Sequence, residues 1–527
     1  MNGQPLSNAD GRLPIDWPVD DAGVRSGLEE RYGQQLVGKL ACLDRMIIYG
    51  TLQGLCHPGA VVGELQRLNL GIFELKEFVL PLTAAVRSRA EELAREAGVP
   101  IEFLRDWRSD KEDLAKERLQ RRGYQPGLVC VLSAMENCQT FEPRKGGGVK
   151  KQPWLKPTGG RCLHYYFYFY DEDLGLIHLR VPTWIPFRLQ FHLNGHSWLE
   201  RRLRAAGLDC QCEDNAVVAV SNWAQAQALS SQPPMAALEE RLQHYVARCC
   251  PQAARFGGYY LTLAQVELSL DLVFQEEPLV SELGAELTRQ AMLIARAGEV
   301  ARFFGHEFSP EAEATTRFGT VREGVLRVRH FLGDQSIKLY NKGVVLRIEV
   351  TTHDVRFFKH HREVKKRDGT SQWKVAPLKK SLFSLGTLQG LLEAACQRYL
   401  CWLSRLEDPR IGRHNLDQIT RPKRDEKQRS WRGFNFFAAA DQQLLLAVLG
   451  GEATISGWTN RRLRAVLAGH YNSSQVGRLL RRLREHGLIH RIAHTCKYYL
   501  TKLGYCALIA ARKLQEHLII PTLNVAT

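Results

Sequence analysis

The residues best suited to chemistry are carboxylates set on or just beyond apolar strands. Asp44 lies in Leu43-Asp44-Arg45-Met46-Ile47-Ile48, and Glu136 closes the run Val129–Glu136. Asp171 ends a string of aromatics, and Glu349 sits in Leu346-Arg347-Ile348-Glu349-Val350. A carboxylate in such surroundings is costly unless a cation meets it. Two or more that converge can hold Mg²⁺, the hard cation of phosphodiester cleavage, which bridges attacking and leaving oxygens. Asp44, Glu136 and Glu349 are therefore the candidate metal ligands, and with Asp171 and Tyr340 they make up the candidate catalytic set. Each also has a plain explanation, such as a pair between Asp44 and Arg45. Spacing alone does not bring any two of them together.

The segment that would position Glu349 reads as three strands, Gly324–His330, Gln335–Asn341 and Val344–Thr351, the last two joined by a tight turn at Asn341-Lys342-Gly343. Alternation puts Val345, Arg347, Glu349 and Thr351 on one face and Leu346, Ile348 and Val350 on the other. The polar face would present Arg347 and Glu349 beside Lys338, Tyr340 and Lys342. That suits a phosphodiester, and it equally suits a surface hairpin with a cross-strand ion pair.

The order Ile337-Lys-Leu-Tyr-Asn-Lys-Gly343 followed by Leu346-Arg-Ile-Glu-Val350 resembles the Tyr-Asp-Lys-Gly…Arg-x-Glu-Val segment of rolling-circle replication initiators of plasmids and filamentous phages. The resemblance implies nicking of one DNA strand through a tyrosine and a metal ion. The His-hydrophobic-His metal motif of those initiators has no counterpart here, and Ile177-His178-Leu179-Arg180 is the nearest approach. In that family the tyrosine of this segment need not be the nucleophile. Much of the chain also resembles a group of bacterial proteins of unassigned activity, through Leu43–Arg45, Ser133–Glu136, His164–Phe169, Arg180–Trp184 and Asn194–His196. This second resemblance implies a shared architecture and no function.

The chain has 527 residues, too many for one small core, and 72 Lys and Arg against 56 Asp and Glu give a formal charge of +16. Such an excess draws polyanions, nucleic acid first among them. No apolar run approaches the length of a membrane span, and the first residues lack the basic start and apolar core of a secretory signal, so a cytoplasmic protein is expected. The 13 cysteines are scattered, and neither Cys210-Gln-Cys212 nor Cys249-Cys250 has the spacing of a zinc knuckle.

The expected class is α/β (α+β) and multidomain. A flexible arm (1–35) precedes a mixed-sheet α/β domain with an aromatic hairpin (36–210). A helical region (211–320), which includes a helix at Leu261–Phe274, is followed by a basic β-hairpin region plus a helix (321–406). Its loop Lys359–Lys380 is rich in cations. A charged linker (407–432) leads to the last domain (433–527). Around the aromatic run His164–Tyr170, Arg180, Arg188, Gln190 and His192 could grip phosphates and stack bases, or the rings could simply fill a core.

The last domain reads as helix Asp441–Leu449, helix Asn460–Leu467, a third helix capped by Ser473 and Ser474 and running to His486, then a hairpin turning at His494-Thr495. This order resembles the winged helix-turn-helix of multiple-antibiotic-resistance-type regulators. By that resemblance the third helix enters a major groove, with Gln475 and Arg478 near its start as base readers, Ser474 as a further nucleic-acid contact, and Arg481, Arg482, Arg491 and Lys497 on phosphates. Lys338, Lys342 and Arg347 would add cations from the middle hairpins. Two functions fit. One is a Mg²⁺-dependent endonuclease or nickase of a mobile element that binds its site through the winged helix. The other is a non-enzymatic DNA- or RNA-binding regulator, acting alone or with an RNA partner.

Overall fold

The computed structural model describes residues 27–105, 110–147, 152–307, 313–321, 325–365, 369–450, 456–467, 471–493 and 495–525. Most of the expected arm, Gly148, Lys150 and Lys151 of the first basic loop, Gly324, and His494 of the last turn lie outside them. The chain divides into two compact units, Met1–Glu407 and Asp408–Thr527. The three-way division expected over 36–406 is thus replaced by one unit built on one sheet.

That sheet has eleven strands. In chain order the strands of this unit are β1 (Leu36–Leu52), β2 (Ile101–Phe103), β3 (Gly127–Arg144), β4 (Trp154–Asp171), β5 (Gly175–Pro182), β6 (Leu189–Asn194), β7 (Cys210–Glu213), β8 (Ala216–Val220), β9 (Tyr259–Phe274), β10 (Ala314–Thr320), β11 (Leu326–Leu332), β12 (Gln335–Lys342) and β13 (Val345–Thr352). The spatial order is β10-β11-β12-β13-β9-β1-β6-β5-β4-β3-β2, and β7–β8 form a separate hairpin. All neighbours are antiparallel except β2 and β3, so the sheet is mixed. The middle turn is one residue later than expected, with Gly343 at φ 52° and Lys342 paired to Val345.

The sheet is two similar halves. Each starts with a long strand at the centre, β1 or β9, passes through helices, and returns as a four-strand meander. The last strand of each meander, β6 or β13, pairs with the strand that began that half. β1 and β9 run antiparallel side by side and join the halves.

The expected helix at Leu261–Phe274 is β9. Its residues alternate, with Leu268, Leu270 and Leu272 on one face and Glu267, Ser269 and Asp271 on the other, which is the period of a strand. Inward residues of β1, β9 and β13 pack against helices Leu75–Glu96, Glu277–Ile294 and Leu385–Glu407 in the main core. On the opposite face, helix Gly195–Ala205 and the β7–β8 hairpin cover Leu40 and Cys42 of β1 and, through Ala216, Val273 of β9 and Val345 of β13. Beside Leu40 and Cys42, β6 has ended, and the open edge of β1 is completed by helix Trp223–Ser231. Gln227 Oε1 accepts from Ala41 N at 2.8 Å, and Ser230 Oγ donates to Ala41 O at 2.7 Å. The basic loop Lys359–Lys380 is a hairpin, Lys359–Lys365 paired with Ser371–Pro377.

In the second unit, the expected linker 407–432 carries a helix, Pro409–Thr420, and a short hairpin. Ile419 is buried with Phe434, Leu444, Leu480 and Leu483, so this segment belongs to the core of the unit. Helices Ala439–Leu449, Asn460–Val466 and Ser473–Glu485 precede the hairpin Ile489–Arg491/Tyr498–Leu500, and Lys502–Leu514 follows. Trp458 and Tyr498 exchange backbone hydrogen bonds at 2.7 and 2.8 Å, adding a third short strand to the hairpin. The cap of Ser473–Glu485 is Asn472 rather than Ser473 or Ser474. Asn472 Oδ1 accepts from Gln475 N, and Gln475 Oε1 accepts from Asn472 N.

Candidate functional site

Asp44, Glu267 and Glu349, from β1, β9 and β13, offer carboxylate oxygens that all lie within 4.8 Å of one another. The local cause in β1 is an irregularity in its pairing with β9 between Leu43 and Met46, the kind of bulge that re-aims a side chain. Helix Gly195–Ala205 then packs so close to the bulge that a Cβ at Gly195 would overlap the carbonyl of Leu43.

Each carboxylate is held. Asn215, at the turn of the β7–β8 hairpin, donates from Nδ2 to both oxygens of Asp44 at 3.1 Å. His196 Nδ1 stands 3.5 Å from Asp44 Oδ1, and Arg347 Nη1 stands 3.6 Å from Oδ2. Burial alone would raise the Asp44 carboxyl, but His196, Arg347 and Asn215 together hold it well below the usual carboxylate range. Glu349 pairs with Lys338 and accepts from Tyr340 Oη at 2.9 Å. Among the described residues Glu267 receives one hydrogen bond, from the amide of Gln265 at 2.8 Å. Burial, and then the charge of Glu349, push its carboxyl up to about 7.

Beside the trio, Arg347 donates from Nε and Nη2 to Asp271 at 2.7 Å each, and from Nη2 to the Asn215 carbonyl at 2.6 Å. Burial is overcome here too, and the pair holds the Asp271 carboxyl low and the Arg347 guanidinium charged. His196 lies between Asp44 and Asp271, which outweigh its burial and raise its imidazole. The charges nearly balance: Arg347 and His196 answer Asp44 and Asp271, and Lys338 answers Glu349. Glu267 is left over. Three oxygen donors with one surplus negative charge fit a hard divalent cation such as Mg²⁺ or Mn²⁺.

Several expected roles change. Glu136 stands apart from the trio, between Arg180 at 2.9 Å and Lys111 at 3.2 Å, so it cannot share a metal ion with Asp44 and Glu349. Asp171 is a turn acceptor for Asp173 N and Leu174 N and takes the hydroxyl of Tyr245 at 2.6 Å, which makes it structural. Arg347 is fully buried and paired, so it does not reach a phosphate. The polar face of β13 is not a surface patch, since the β7–β8 turn covers it. The Tyr340 hydroxyl is committed to Glu349, and burial raises its pKa, which opposes a role as nucleophile. Lys338 and Lys342 are half-buried, and Lys342 donates to Asn215 Oδ1 at 2.7 Å. In the second unit Arg482 is buried against Asp441 and the carbonyls of Arg432 and Gly433, so it is a core group and not a phosphate contact. Ser474, Gln475, Arg478, Arg481, Arg491 and Lys497 are exposed.

Glu267, Asp271, His196 and Asn215 were missed. The alternation of polar residues along β9 carried a signal for the first two, whereas no local pattern points to a turn asparagine reaching across the sheet.

From the trio the same sheet face runs outward. Toward β5 and β4 it holds an open cleft of about 660 Å³ lined by the cations Arg45, Lys111 and Arg180, the carboxylates Asp110, Glu112 and Glu136, and the rings of Tyr166, His178 and His192. The His178 and His192 rings stack at 4.1 Å, and burial lowers both imidazoles, His192 to about 4. A smaller cleft holds Arg188 over the ring of Tyr49 at 4.2 Å, with Gln265 and Lys380.

No family model and no curated protein sequence matches this chain. Among solved structures, a rolling-circle replication initiator protein from Geobacillus stearothermophilus is similar at 10% identity and a TM-score of 0.19, over 68% of this chain and 97% of that one. Likeness at that level carries no argument about this chain. No described helix is long and apolar enough to cross a membrane.

Proposed function

We propose that this protein binds nucleic acid and cleaves or transfers a phosphodiester with a divalent cation, Mg²⁺ or Mn²⁺, held by Asp44, Glu267 and Glu349. The observation that carries the reading is the meeting of these three carboxylates from three neighbouring strands. Such a cation supplies Lewis-acid stabilisation of charge on a phosphoryl oxygen. The protein's own groups fix the donors: Asn215 and His196 orient Asp44, Gln265 orients Glu267, and Lys338 and Tyr340 orient Glu349. Of the clefts on either side, the one with Arg188 and Lys380 is basic and supplies phosphate contacts, and Arg45 and Arg180 add cations from the other, whose lining also holds Asp110, Glu112 and Glu136.

The second unit is read as a winged helix-turn-helix. Supporting this are its order of three helices and a hairpin, and the exposed Arg478 and Arg481, which have no carboxylate partner among the described residues. Ser474, Gln475 and Arg478 face the bases, while Arg481, Arg491 and Lys497 hold phosphates. DNA is the favoured target, and RNA is the alternative.

The test incubates the pure protein with Mg²⁺ or Mn²⁺ and supercoiled DNA, single-stranded DNA or RNA, alongside Asp44→Ala, Glu267→Gln and Glu349→Ala. Cleavage by the wild type that each variant loses while still binding supports the reading. A second reading, binding without chemistry, is favoured by one feature: Glu349 already has a protein cation in Lys338. Binding with no cleavage on any substrate would select it.

A further inference from the structure

The hairpin Lys359–Lys365/Ser371–Pro377 has a face that its own unit does not use. Its base is anchored, with Phe358, Ala376 and Leu378 buried and Leu378 N donating to Phe358 O at 2.9 Å. Above the base, period-2 alternation places His361, Trp373 and Val375 on one outward side. Trp373 is 65% exposed and Val375 64%, and the His361 ring stacks on the indole at 5.7 Å and 21°. A lone exposed apolar side chain is ordinary, but here Trp373, Val375 and the His361 ring make one contiguous outward face.

Charge says which partner. By the same alternation Lys359 and Lys365 share the ring's face, Glu363 stands directly across from Trp373 as the one carboxylate among the described residues of the hairpin, and Arg362 and Lys374 lie on the opposite face, so those residues carry an excess of cations over both faces. None of Lys359, Lys365 and Lys374 has a carboxylate partner among the described residues. A cationic hairpin that also carries a flat, exposed aromatic suits a ligand that combines phosphates with π-faces, which is what a nucleic-acid strand with an unstacked base presents. Continuity points the same way. Three residues beyond Pro377, Lys380 lines the cleft of Tyr49, Arg188 and Gln265, and Gln265 donates to Glu267 of the carboxylate trio.

We infer that this hairpin is a nucleic-acid-binding arm on which Trp373 stacks an unpaired base and its lysines hold the flanking phosphates. The inference rests on the nucleic-acid reading above and adds to it a second contact site, built from residues other than those around the carboxylates.

The test uses the full chain in EDTA, so that no cleavage intervenes, with fluorescein-labelled single-stranded DNA and RNA of one mixed sequence and the matching blunt DNA duplex. Trp373→Ala should weaken single-strand binding about five- to hundred-fold, change duplex binding less than about twofold, and leave the melting temperature unmoved because the ring is exposed. Trp373→Phe should recover most of the loss. Unchanged single-strand affinity in Trp373→Ala, or equal loss on single strand and duplex, would overturn the arm while leaving the nucleic-acid reading standing. Failure of the wild type to bind any of the three would overturn both. Wild-type binding to anionic phospholipid vesicles that depends on Trp373, with no nucleic-acid binding, would assign the arm to a membrane surface instead.

Discussion

Glu267→Gln separates a metal ligand from a merely structural carboxylate. Burial and the neighbouring Glu349 push the Glu267 carboxyl from its ordinary value near 4.5 up to about 7. Because the folded value lies above the unfolded one, protonated Glu267 favours the fold. That contribution is complete below about pH 4.5 and is lost as the pH rises through about 7. Ionised Glu267 then costs the metal-free fold roughly 3 kcal/mol above pH 7. Glutamine has the same shape and cannot ionise. In EDTA the variant should match the wild type near pH 5 and exceed it near pH 8, by roughly 4 °C in melting temperature for a unit of about 400 residues. Mg²⁺ should act in the opposite sense. At pH 8 it should raise the melting temperature of the wild type, by binding the folded state alone, and do little for the variant. Calorimetry of the full chain at two pH values, with and without Mg²⁺, reads all four numbers. The reasoning fails if the stability difference does not grow between pH 5 and pH 8, or if Mg²⁺ stabilises the variant as much as the wild type.

Arg347→Met should destabilise the N-terminal unit by about 3–5 kcal/mol, because it removes both guanidinium hydrogen bonds from the buried Asp271 and leaves it only the more distant His196; a urea midpoint within error of wild type would refute the structural role of that pair. In the C-terminal unit, Arg482→Ala should cost a similar amount through Asp441, while Arg478→Ala should leave stability within about 0.5 kcal/mol and cost about 1–3 kcal/mol of sequence-specific binding. Equal effects of the two on unfolding midpoints would contradict the burial difference between them. Gly195→Ala should displace the Leu43 carbonyl and the Asp44 bulge, costing about 1–3 kcal/mol and reducing Mg²⁺-induced stabilisation more than Ala substitution at an open glycine such as Gly63; identical Mg²⁺ responses would show that the bulge does not set the trio.

Much of this was legible in the sequence where a pattern is local. The alternation around Glu349 gave the face and the partners Lys338 and Tyr340 correctly, and the long helices announced themselves by period. Alternation could not say whether that face was open, because the cover comes from Asn215, more than a hundred residues earlier in the chain. Glu136 and Asp44 looked alike, each a carboxylate among apolar strand residues. Only pairing distinguishes them, since β3 lies four strands away from β1 while β13 lies two. Arg482 and Arg478 share one helix, and their division between core and surface follows from the buried Asp441 that one of them meets. β9 was misread because an apolar-rich stretch in a helical neighbourhood was assigned by its surroundings rather than by its own period of two.

The position of the trio has a consequence for how the unit folds and works. Asp44 and Glu267 come from the two central strands, one from each half of the sheet, and Glu349 comes from the strand that closes the second half. Neither half alone can assemble the three carboxylates, and the long antiparallel pairing of β1 with β9 is what brings them together. The surplus negative charge sits in the second half, where Glu267 meets Glu349, and Asp44 arrives with His196 and adds no net charge, so that half carries the electrostatic cost and joining supplies the third donor. A cation bound there repays that cost and ties the two halves across their seam. Divalent ions should accordingly slow unfolding of the whole N-terminal unit rather than protect one half of it. Hydrogen exchange at β1, β9 and β13 is where this would be seen, and protection by Mg²⁺ confined to β13 would show that the seam is not what the cation stabilises.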